Sequence, residues 1–157
     1  MTAGILSCGF LAPKPKGDLI YCSYAARGSA GLGSDYCELI ADPDSTPKIV
    51  VVLNEGNRFE APVIRREYPI EKETVDSLAT LLRDAKVYKL NGYRLEEPIA
   101  GGHSYRIYME YSSGDKVNAF WYGNKVKDEA LAAYSLIENF FAPWRKRALK
   151  DARPVSE

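Results

Sequence analysis

The chain has 157 residues, the size of one ordinary domain, and its 46% hydrophobic and 27% charged residues are a globular composition rather than a disordered one. A chain of this length buries roughly two-thirds of its unfolded surface and needs no metal or disulfide to hold a core. Its 21 basic and 21 acidic residues cancel, which argues against a general nucleic-acid binder, and no apolar run reaches the ~20 residues of a membrane span.

Residues 1–17 read as a flexible N-terminal tail and linker, apolar and small up to Ala12 and then Pro13-Lys14-Pro15-Lys16-Gly17. Ile5-Leu6-Ser7-Cys8-Gly9 has the form of a shortened bacterial lipobox, which makes Cys8 a lipidation candidate and the tail the remnant of a lipoprotein anchor. No basic segment precedes it and its apolar part is short for a signal, so the competing reading is a plain tail with a chance cysteine.

Residues 18–145 read as a single α+β domain. Asp18 to Ala25 alternates as a first strand, Arg27 to Ser34 is a glycine-rich turn region, and Asp35 to Ala41 is a second strand. Symmetric pairing about Ser29 and Ala30 sets Ile20 opposite Leu39 and Cys22 opposite Cys37, all on one sheet face. Cys22 and Cys37 are therefore expected to lie close together, as a disulfide in an oxidising compartment or as two small buried hydrophobes in a cytosol, with the balance on the disulfide.

After the loop Asp42 to Pro47, the β-branched run Ile49-Val50-Val51-Val52-Leu53 suits a central strand covered on both faces. Asn54 to Asn57 is a hairpin turn, and Arg58 to Tyr68 is mainly extended, with Pro62 demanding an edge or a bulge. A first helix is predicted over about 71–87, with Val75, Leu78, Leu82 and Ala85 as its buried stripe and Leu81 beside them. Val87 to Leu95 reads as a short strand interrupted at Asn91-Gly92.

His103 to Trp144 carries the strongest pattern. Tyr105, Ile107, Met109 and Tyr111 share one parity, Arg106, Tyr108 and Glu110 the other, Ser112-Ser113-Gly114-Asp115 supplies a turn, and Lys116 to Tyr122 resumes an extended run. A second helix follows over about 126–142, with Leu131, Tyr134, Ile137 and Phe141 on its apolar stripe, ending or kinking at Pro143. Residues 146–157 then read as a basic, frayed tail whose cations complement the helix dipole. The expected architecture is a mostly antiparallel sheet of about five to seven strands with two principal helices packed on it.

Chemistry is sparse. Gly28 to Gly33 runs G-x-x-G-x-G before a strand, which is neither a dinucleotide nor a Walker loop. His103 is the single histidine, so a hydrolase would have to combine it with a serine of the 28–34 loop; Ser104 points to the opposite face of the strand. One histidine and three scattered cysteines do not make a zinc set, Asp42 and Asp44 lack the rest of a calcium loop, and no metal or cofactor is expected. Glu96, Glu97 and Glu110 offer carboxylates at no defined distance, and a cross-strand Lys or Arg is the expected partner of Glu110.

An aromatic surface remains. Tyr108, Phe120 and Tyr122, with Arg106 and Lys116 beside them, are assigned to the outward face of the 105–122 hairpin, where they form a candidate binding surface for a protein or saccharide. A helix covering that face is the competing arrangement. Cys8 with its Pro-Lys linker, and the ending Tyr105-Arg106-Ile107-Tyr108-Met109-Glu110-Tyr111-Ser112-Ser113-Gly114-Asp115-Lys116 with its closing helix, resemble small uncharacterised extracytoplasmic proteins and lipoproteins of gut-type Bacteroidetes. The resemblance covers the last third and the N-terminus and carries over no functional residue. It implies a place in the periplasm or on the cell surface, with a lipid anchor to the membrane, and the cytoplasm is the alternative. Three functional classes follow: a non-catalytic binding module on the aromatic face, a small His103 hydrolase, or a structural homo-oligomer subunit.

Overall fold

The computed structural model describes residues 12–28, 34–54, 63–98 and 101–152. They build one seven-stranded sheet with two helices on it, an α+β fold as the sequence predicts. The strands are β1 (Leu19–Gly28), β2 (Ser34–Ile40), β3 (Lys48–Asn54), β4 (Val63–Pro69), β5 (Arg94–Glu96), β6 (His103–Tyr111) and β7 (Lys116–Tyr122). The helices are α1 (Lys72–Asp84) and α2 (Asp128–Ala152). Their order in the sheet is β4-β3-β2-β1-β6-β7-β5, and every pairing is antiparallel except β5 with β7.

Each strand alternates, and the alternation divides the sheet into two faces. Cys22, Tyr24, Cys37, Leu39, Ile49, Val51, Leu53, Ile107, Met109, Ala119 and Trp121 are buried in one cluster with Val75, Leu78 and Leu82 of α1 and Ile137, Phe141 and Ala148 of α2. Both helices therefore cover the same face. β4 lies at one edge, as an extended segment following Pro62 should, although Pro62 itself lies outside the described residues. β3 sits one strand in from that edge and has a helix layer on one face only; its outward Val50 is buried where the register sets it between Glu38 and Glu67.

The β1–β2 register differs from the symmetric pairing by two residues. Cys22 faces Leu39 and Tyr24 faces Cys37, so the two cysteines are diagonal neighbours, and both thiols are free. Diagonal positions lie roughly 7–8 Å apart at Cα, beyond the span a disulfide bridges, so the expected cystine gives way to two buried thiols. Burial alone pushes the Cys22 thiol up to about 12, and Cys37 rises to about 11 mainly for the same reason. Ile20 also changes role. The β1–β6 register slips between Leu19 and Tyr21, and the extra residue turns Leu19 rather than Ile20 into the core.

Three further expectations are revised. The segment from Val87 is a 3-10 turn over Val87–Leu90 that drops Val87 and Leu90 into the core, and the strand begins only at Arg94. In α1, Ala85 and Leu81 are exposed, and the buried stripe is Val75, Leu78 and Leu82. In α2, Ile137 and Phe141 are buried as expected and Tyr134 is half-buried, but Ala130 and Ala133 pack where Leu131 was expected, and Leu131 is half exposed.

The most consequential revision concerns Pro143, which lies inside α2; the helix runs on to Ala152, so residues 146–152 are helix rather than frayed tail. Proline deprives the Asn139 carbonyl of its partner. Tertiary contacts along the following turns offset that loss: Ala148 is fully buried, Arg145 pairs with Asp35, and Tyr68 donates to Asp151 at 2.9 Å while Arg147 lies over the Tyr68 ring.

Lys16 and Gly17 are clamped to the β6–β7 turn. The Lys16 amide donates to Asp115, Ser113 Oγ donates to the Lys16 carbonyl, and the Asp18 amide donates to Ser112 Oγ. Gly17 has φ +79 and lies so close to Ser112 that a Cβ would collide with its side chain, which explains a glycine there.

Candidate ligand-binding face

Because both helices use one face, the other is bare among the described residues, and the ladder registers give its layout strand by strand. One row crosses the sheet as Tyr36, Ala25, Arg106, Phe120 and Arg94; the next as Glu38, Ser23, Tyr108 and Asn118; a third as Ile40, Tyr21, Glu110 and Lys116. Small residues on β1, Ser23 and Ala25, are thus flanked by long ones on β2 and β6. The result is a trough of about 520 Å³ with β1 as its floor.

Its walls are preorganised. The Tyr21 and Tyr108 rings meet edge to face at 5.9 Å between centroids. The Tyr21 and Tyr36 hydroxyls both donate to the Glu38 carboxylate, and burial followed by that carboxylate raises both phenols. Tyr108 donates to Glu110, which also faces Lys116 across the hairpin, and this bond is the first cause of its raised phenol. Glu110 is accordingly a cross-strand partner, as its sequence setting suggests. The Arg106 guanidinium lies 5.4 Å from the Tyr108 ring centroid and donates through Nε to Asn118; Arg94 lies 5.1 Å from the Phe120 centroid and pairs with Glu96 at 2.7 Å.

Of the residues assigned to this face from sequence, Arg106, Tyr108 and Phe120 line the trough together. Tyr122 is on the same face, one residue pair further along β7, where its hydroxyl donates to the Gly101 carbonyl. Sequence reading missed Tyr21, Ser23, Ala25, Arg27 and Tyr36 on one side of the trough and Arg94, Ser104 and Asn118 on the other. The alternation of β1 and β2 carried the signal, but the pairing of β1 with β6, which joins that hairpin to the 105–122 hairpin, remained unassigned.

The other candidates are dispersed. His103 is exposed at the start of β6, opposite Gly28, with its ring beside Tyr105; Ser29 and Cys8 lie outside the described residues. Glu96 pairs with Arg94, and Glu97 accepts the Asn124 and Lys125 amides, tying the end of β5 to the turn before α2. Among the described residues no group of three metal-ligating side chains occurs, and no helix is long and apolar enough to cross a membrane.

A second concavity, of about 510 Å³, opens on the helix side between α2 and the ends of β1, β6 and β7. Tyr105 stacks on Trp121 at 5.9 Å, and Tyr134 meets both edge to face. Arg145 spans Asp35 and Glu138 at its end. Its charges are paired with one another, and its aromatic wall is continuous with the core. No family model matches the sequence, and no curated protein matches it at a significant level.

Proposed function

We propose that this chain is a non-catalytic binding module that takes its ligand in the trough over β1. One observation carries the reading: both helices pack on one face of the sheet, while the opposite face keeps, among the described residues, a concave, aromatic and cationic surface on strands whose other side is the core. Half-buried tyrosines and a phenylalanine beside polar side chains are the composition of a recognition surface rather than of a solvated sheet face. The His103 hydrolase and the structural subunit are the alternatives. His103 is exposed at the start of β6, and Ser29 of the loop that the hydrolase would draw on lies outside the described residues.

Amide shifts in a ¹⁵N-labelled chain, recorded against a panel of soluble saccharides and peptides, test the module. Ligands should shift Ser23, Ala25, Arg106, Tyr108 and Phe120, and a Tyr108→Ala, Phe120→Ala variant with unchanged circular dichroism should lose the response. Shifts confined to Leu131, Tyr134 and Ser135 would move the site to the helix-side cleft and overturn the assignment. We also place the protein outside the cytoplasm, anchored through Cys8, on the strength of the Bacteroidetes resemblance. Intact mass from the native host checks this: a chain beginning at acylated Cys8 supports it, and an unmodified chain removes it.

A further inference from the structure

We infer that the ligand of this face is an acidic saccharide, its carboxylate or sulfate held by Arg27 and Arg106 and its ring laid over Ala25 against Tyr108; the inference rests on the binding-module reading. The first ground is charge. A chain with no net charge has placed Arg27, Arg94 and Arg106 around one trough, and the acids beside it, Glu38 and Glu110, are engaged by tyrosine hydroxyls. Glu38, the nearest acid of β2, is held by the Tyr21 and Tyr36 hydroxyls. Arg94 shares its charge with Glu96, whereas Arg27 and Arg106 have no acidic partner among the described residues. The helix-side cleft is the internal contrast, since its Arg145 is flanked by Asp35 and Glu138. An anion gains in the first place and not in the second.

The second ground is geometry. Arg106 lies against a ring and its bond to Asn118 uses Nε, so its terminal nitrogens are oriented and available for a two-oxygen anion. The third ground is shape. The trough lies on the face of the sheet, where the backbone groups of β1 and β6 are already used in the ladders, so an extended peptide would find no main-chain bonds there. A ring compound meets instead a small floor, aromatic walls and the polar side chains of Ser23, Ser104 and Asn118. A volume of about 520 Å³ suits a ligand of a few rings, and three arginines around one trough are not the extended cationic track of a polyanion binder.

The test titrates the labelled full chain with a galacturonate trimer, a neutral galactose trimer and a sulfated disaccharide. The galacturonate trimer or the sulfated disaccharide should shift Ser23, Ala25, Arg106 and Tyr108, and the better of the two identifies the acid group. Arg106→Gln and Arg27→Gln, both exposed substitutions checked by circular dichroism, should each weaken that binding about tenfold, as should added salt. The neutral trimer should bind at least about tenfold more weakly. Equal binding of the neutral trimer at these amides, or unchanged binding by both arginine variants, overturns the acidic ligand and leaves the face standing. Acid-dependent shifts at Leu131, Tyr134 and Arg145 overturn the face itself. No shift with either acidic probe at millimolar concentration overturns the acidic saccharide.

Discussion

The two faces of this sheet are made from the same strands, yet they solve different problems. Trp121 and Phe120 are neighbours on β7; Trp121 is 1% exposed beneath α2, and Phe120 stands half-buried in the trough under Arg94. In the helix-side cleft the half-buried charge is paired, Arg145 with Asp35 and Glu138. On the open side Arg94 and Lys116 pair with Glu96 and Glu110, whereas Arg27 and Arg106 have no acidic partner among the described residues. A core tolerates a charge only when its partner is built in, whereas a recognition surface leaves part of that pairing to the ligand.

The largest effect that tests this contrast comes from truncating the two neighbours. Trp121→Ala should cost about 3–5 kcal/mol in denaturant unfolding, because it opens a cavity where Tyr105, Tyr134 and Tyr93 meet its ring. Phe120→Ala should cost about 1 kcal/mol or less. Equal costs would mean that the open face is structural after all, and the binding reading would lose its basis.

A second measurement sharpens the division through the cysteines. Cys22 and Cys37 are on the covered face, and burial raises both thiols from the ordinary value near 9 to about 12 and about 11. At about pH 8 almost no thiolate exists in the native protein, so alkylation of both should be slow and should become complete on adding denaturant. A raised thiol favours the folded state below its unfolded pKa, and that contribution is lost as pH rises through the folded value. Stability should therefore decline between about pH 9 and 12. Rapid native-state labelling of either residue would break the assignment of faces.

The smallest effect concerns the clamp at the end of the hairpin. The Lys16 amide, followed by Ser113, holds the Asp115 carboxyl below its usual range. A depressed carboxyl contributes above its unfolded value of 3.8 and loses that contribution as pH falls through the folded value. Acidification below about pH 4 should thus release residues 12–17, visible as faster amide exchange at Lys16 with no change at Ile107. Asp115→Asn should leave that exchange fast at neutral pH.

The hairpin from His103 to Tyr122 was legible in the chain because strict alternation and a Ser-Gly-Asp turn specify both pairing and facing, and Arg106, Tyr108 and Phe120 came with it. The first helix was equally legible, from its acidic start, its basic end and its apolar spacing. What lay beyond were quantities set by distant contacts. The β1–β2 register depends on a turn whose residues carry no strong pairing signal, and two residues of shift separated the cysteines; that β1 lies between β2 and β6, which sets Ser23 and Ala25 on the floor of the trough, is a long-range pairing. The path of α2 beyond Pro143 was decided by Asp35, Tyr68 and the packing of Ala148, partners that local propensity does not see. Alternation along a strand determines which side chains share a face. Which face the helices cover, and hence which is left open, is a choice made by the whole core at once.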